Sequence, residues 1–206
     1  MKSETSDEKQ ERLRDYQEQY GRLITEGYTA KDCVISVLKA NIMAMVAAGP
    51  FAVLAVVLYL SKWGGETFIL EVDFVSVALF LLAFLISIPV HEVLHGLAWS
   101  LVSKNGWKSI RFGILRPSYT PYCHCKEPLG FGAYLFGAVT PFLILGVATF
   151  LLSYTSGCLF WLLFSIVHFI AAGGDATLIF MMLPYTKAKF LDHPSECGFT
   201  AFVREA

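Results

Sequence analysis

Residues 91–95 read His-Glu-Val-Leu-His inside a long apolar run. In a helix, residues four apart share a face, so His91 and His95 can turn both imidazoles to one ion. Glu92 then sits about 100° round the helix, within reach of a water at that ion. Two neutral imidazoles and a carboxylate suit zinc, and they leave a coordination position for a water whose pKa the metal lowers toward neutrality. Glu92 is therefore the candidate general base for attack on a peptide carbonyl, and afterwards the acid that protonates the leaving amine. A chance match is the plain alternative. It leaves three ionisable groups in an apolar helix with no purpose, which is costly in lipid.

A third ligand should be a carboxylate or imidazole at the same depth. His91 and His95 lie 13 and 9 residues before Lys104, about 20 and 14 Å of helix. Asp175 lies 12 residues before Lys187, about 18 Å. The depths agree, which makes Asp175 the expected third ligand. Gly173-Gly174 just before it allows close backbone approach or a loosened helix. His168 falls seven residues earlier, on nearly the same face and about 10 Å further along. It is a candidate catalytic group, donating to a tetrahedral oxyanion or positioning substrate; a hydrogen bond to a neighbouring helix would equally explain it. Cys123-His124-Cys125 invites a second metal assignment. In an extended segment, however, the thiols point one way and the imidazole the other, and a closed site needs a fourth partner.

These residues need helices in lipid to hold them. Hydrophobic residues make up 55% of the 206 and charged ones only 16%, too apolar a balance for an ordinary soluble domain. Stretches near 42–60, 74–102, 131–154 and 158–183 approach or exceed the roughly 20 residues that cross a bilayer. The fold class expected is an all-α membrane protein of about four transmembrane helices. A small hairpin is expected between the second and third spans, from the partial alternation Ile110 to Leu115, the turn Arg116-Pro117-Ser118 and the segment Tyr119 to Cys125. Pro89 and Pro141 should bend their helices.

Lys and Arg cluster before the first span, between the second and third, and in the tail. By the positive-inside rule both termini are expected in the cytosol, and the chain in the cytoplasmic membrane. The corresponding division is a charged N-terminal segment 1–33, a transmembrane metalloprotease-like domain 34–186 and a tail 187–206. No apolar stretch follows the first basic residues, so no cleavable signal is read, and five cysteines without secretory features are read as free thiols. The net charge of −1 and the absence of a basic aromatic stripe exclude a nucleic-acid groove.

HEVLHG at the end of a membrane helix, the PYCHCKEPL segment, AGGDATLIFMMLP and the closing DHPSECGF together resemble the putative zincin peptidase family of small bacterial membrane proteins. More distantly they resemble site-2-type intramembrane zinc metalloproteases. The resemblance runs from about Ser87 to Phe199. It implies zinc held by His91, His95 and Asp175, catalysis by Glu92, and a membrane or membrane-proximal polypeptide as substrate. The chain departs from the site-2 pattern in lacking the Asn and Pro usual near the aspartate. Two other functions use the same residues differently: a membrane metal carrier or sensor that needs the ligands but no base, and a silent scaffold that needs neither.

Overall fold

The computed structural model describes residues 6–64, 73–115 and 120–204. Most of the connection between the first two spans, and the turn expected at Arg116-Pro117-Ser118, lie outside them. A helix α1 (Ser6–Thr25) leads into strand β1 (Thr29–Ile35), then α2 (Val37–Trp63) and α3 (Phe74–Val102). A hairpin of β2 (Ile110–Leu115) and β3 (Thr120–Cys125) follows, then the short β4 (Leu129–Gly130) and α4 (Phe131–Pro141). A π-helical stretch Phe142–Ala148 joins α4 to α5 (Thr149–Ser156). Next come α6 (Leu159–Ala171), α7 (Gly173–Met182), β5 (Lys189–Asp192) and β6 (Cys197–Val203).

Three helical segments are long and apolar enough to span a bilayer: Leu38–Trp63, Phe74–Val102 and Phe131–Ser156. The pair α6 and α7, bent by 42°, makes a fourth if taken as one span. Ala55, Tyr59, Leu162 and Phe169 form a small buried cluster between them, but many of their apolar side chains face outward. Leu38, Val46, Leu82 and Ile86 are each more than half exposed, a surface suited to lipid and far larger than a soluble monomer tolerates. α3 is one helix through Pro89. At Pro141 the missing amide coincides with the switch from α4 to the π-helical stretch, a usual way to absorb a proline.

The expectation of an all-α chain is corrected by a sheet. β1, β6, β5 and β4 pair antiparallel in that order, so the segment after α1 and the tail, far apart in sequence, become neighbours. The residue-33 boundary falls inside β1. Alternation along β6 explains how the sheet is used. Phe199 and Ala201 pack with Trp99, Leu129, Tyr134 and Met182 at the end of the helix bundle. Phe202 packs with Leu191 and Leu23 of α1 on the other face. Burying a side chain such as Phe199 or Phe202 fully, as here, contributes about 1.5–3 kcal/mol. α1 is fixed further by Arg111 of β2, which bridges to Glu11 at 2.9 Å and Asp15 at 3.4 Å.

The expected hairpin is present, with Ile110 opposite Cys125 and Leu115 opposite Thr120. It lies against α3 at Gly96, where a Cβ would stand 2.5 Å from the Phe112 ring and 2.9 Å from Ile110. The glycine after the second histidine thus lets the hairpin sit beside the motif.

Candidate metal centre

His91 and His95 project from one face of α3, one turn apart, as the i, i+4 spacing dictates. Asp175 lies in the first turn of α7, directly after the break at Ala172. Gly173 makes this placement possible, because any Cβ there would meet the Ala44 carbonyl of α2 at 2.5 Å. α7 therefore starts in close contact with α2, and Asp175 is held at the level of the motif.

The ligand atoms converge. His91 Nε2 stands 3.1 Å from Asp175 Oδ2, His95 Nε2 stands 3.3 Å from Asp175 Oδ1, and the two Nε2 atoms are 3.2 Å apart. Zinc bonds of about 2.0–2.1 Å in tetrahedral geometry separate adjacent ligand atoms by about 3.3 Å. The donor set therefore fits that ion in kind and in spacing. Among the described residues these three are the group of His, Cys, Asp and Glu that come together tightly enough to hold a metal.

The other nitrogen of His95 is fixed as well. Its Nδ1 lies 2.8 Å from the Gly137 carbonyl, which can only accept, so Nδ1 carries the proton and Nε2 presents a lone pair to the site. Trp99 stacks on His95 with 17° between the rings and donates its indole N–H to the Tyr134 carbonyl at 3.1 Å. Gly137 is obligatory here, since a Cβ would fall 2.0 Å from the indole nitrogen.

Glu92 is half-buried beside His91, His95 and Asp175, and the Cys123 backbone of β3 lies close to its carboxylate. The hairpin thus reaches into the site through the main chain. His168 does not join the cluster. It packs between Phe84 and Phe164, is 2% exposed, and neither ring nitrogen has a hydrogen-bond partner among the described residues.

Cys123-His124-Cys125 does not form a second metal group among the described residues. His124 is buried with Nδ1 3.5 Å from Asp192 Oδ2. Burial pushes the Cys123 thiol far up and the Cys125 thiol to about 12, which disfavours the thiolate form. Burial also lowers the His124 pKa, partly opposed by Asp192.

Residues 84–190 match the model of a family described as Putative zincin peptidase. The chain belongs to that family. No curated protein and no solved structure is significantly similar to it. The matched segment of this zincin holds the motif helix, the hairpin and Asp175, but not α1, β1, α2, β6 or Asp192. Membership supports metallopeptidase chemistry and zinc as the metal. Asp192, Tyr134, Trp99 and Gly137 were not singled out from the sequence. Asp192 lay within the resembling DHPSECGF segment, but nothing in residue type or spacing tied it to α4.

Proposed function

We propose that this zincin is a membrane-embedded zinc peptidase that cuts membrane or membrane-proximal polypeptides, in the manner of site-2-type enzymes. The observation that carries the reading is the spacing of His91, His95 and Asp175: the two Nε2 atoms are 3.2 Å apart and each lies 3.1–3.3 Å from one oxygen of the Asp175 carboxylate. When bound, zinc would supply Lewis acidity that lowers the pKa of a water and polarises the scissile carbonyl. Glu92 takes a proton from the attacking water and returns it to the leaving nitrogen. The Cys123 backbone of β3 lies beside the Glu92 carboxylate and borders the space in which both transfers occur. His168, with two buried nitrogens and no protein partner among the described residues, satisfies them through water or a polar group of the bound polypeptide, and so helps position it.

Pairing of β1 with β6 puts both terminal segments at the same end of the bundle. The Lys and Arg distribution assigns that end to the cytosol. Peptide bonds are then cut near the cytosolic edge of the bilayer.

The test is metal analysis beside proteolysis in proteoliposomes. Wild type and Glu92→Gln should hold one zinc per chain, while His91→Ala and Asp175→Ala should lose it. Glu92→Gln should cleave about 10²–10⁴-fold more slowly. Wild type without stoichiometric zinc, or Glu92→Gln with full activity, would end this reading.

A further inference from the structure

Asp192 closes β5, outside the segment that defines the family, and its carboxylate is nearly enclosed with 13% of the side chain exposed. Oδ2 accepts the Cys125 backbone N–H at 2.9 Å. Oδ1 accepts the Tyr134 hydroxyl at 2.5 Å. The two bonds reach different parts of the metal centre. Cys125 lies two residues after Cys123 on the same strand, so both amides point away from β2 along one edge of β3, and the Cys123 backbone lies close to Glu92. Tyr134 belongs to α4, three residues before Gly137, whose carbonyl holds His95 Nδ1. The Tyr134 carbonyl also receives the Trp99 indole that stacks on His95.

We propose that Asp192 is a positioning residue for the metal centre: one carboxylate of the C-terminal sheet braces β3, which borders the base, and α4, which orients a ligand. This rests on the zinc reading of His91, His95 and Asp175. It explains why a polar group is kept in a core of Trp99, Leu129, Phe190 and Phe199, where an apolar residue of similar size would be expected to cost less. It also couples the sheet to the chemistry, because β5 is held in register by β6 and the order of the tail is transmitted to the site. Partners of metal ligands commonly tune metal affinity or activity by 10–100-fold. Asp192 acts one step further out, and on two groups at once.

The experiment uses the full-length protein in detergent or nanodiscs, with cobalt as the metal probe and amide exchange of β3 as a metal-independent readout. Asp192→Ala should speed exchange at Cys123 and Cys125, lower cobalt affinity about tenfold, and alter the visible spectrum of the cobalt protein. Tyr134→Phe removes only one hydroxyl, so it should fold and show the same spectral change with a smaller loss of affinity. Asp192→Asn keeps an acceptor for the Cys125 amide and a donor for the Tyr134 oxygen, and should recover most of the loss. Tyr134→Phe and Asp192→Ala together should be no worse than Asp192→Ala alone.

Faster exchange with unchanged cobalt affinity and spectrum in both variants would overturn the brace while leaving the zinc reading intact. If Asp192→Ala does not fold, an unaltered cobalt spectrum in Tyr134→Phe overturns it in the same way. Wild type that takes up no cobalt would overturn the zinc reading and the brace together.

Discussion

Two clusters of histidine and aspartate lie close together in this molecule, and they use their lone pairs in opposite ways. At His91, His95 and Asp175 the ligand atoms face one another across 3.1–3.3 Å, leaving lone pairs to be satisfied by a cation. At Asp192 the carboxylate oxygens are already taken by the Cys125 amide and the Tyr134 hydroxyl, with His124 buried beside them. Residue types alone do not separate a metal centre from a structural polar cluster. The direction of the lone pairs does, and it depends on whether protein donors have already occupied them.

The largest difference should appear when one histidine is removed from each cluster. His95→Ala should abolish stoichiometric zinc, whereas His124→Ala should keep it and lose stability instead, by about 1–3 kcal/mol from the cavity left by the buried ring. Metal analysis and thermal unfolding measure the two losses. Zinc lost from both variants alike would erase the distinction between the clusters.

A smaller effect is expected where the clusters are joined. Gly137→Ala sets a methyl against the Trp99 indole, which should cost about 1–3 kcal/mol and displace the carbonyl that holds His95. Melting temperature and zinc affinity should fall together. Unchanged zinc affinity in a destabilised variant would show that this carbonyl does not tune the ligand.

The smallest effect is in pH. The pKa of His124 in the fold lies below its ordinary value of 6.5, because burial outweighs the pull of Asp192. Between these two values the unfolded chain binds the extra proton and the folded chain does not, so stability falls as pH drops below about 6.5. Comparing metal-free wild type with His124→Gln removes the contribution of the ligand histidines. The variant should lose less stability between pH 7.5 and 5.5, by up to about 1 kcal/mol. Equal slopes would show that His124 is not buried neutral.

Features that repeat on a helix or follow from the solvent were legible in the residues alone. The i, i+4 spacing put His91 and His95 on one face, apolar length defined the spans, and Lys anchors found Asp175 because rise per residue is constant. Gly173-Gly174 marked the point where α6 gives way to α7. The alternation at Ile110 to Leu115 foretold the hairpin, since β2 and β3 are adjacent and their pairing is local. The remaining features came from tertiary structure. The sheet joins β1 to strands more than 150 residues later, and short strands that pair across such distances leave no local period. His124 looked no different from a ligand residue until the fold placed it beside Asp192. Whether a lone pair is free for a metal is fixed by which backbone and side-chain donors arrive from elsewhere in the chain. Local spacing along this sequence does not carry that information.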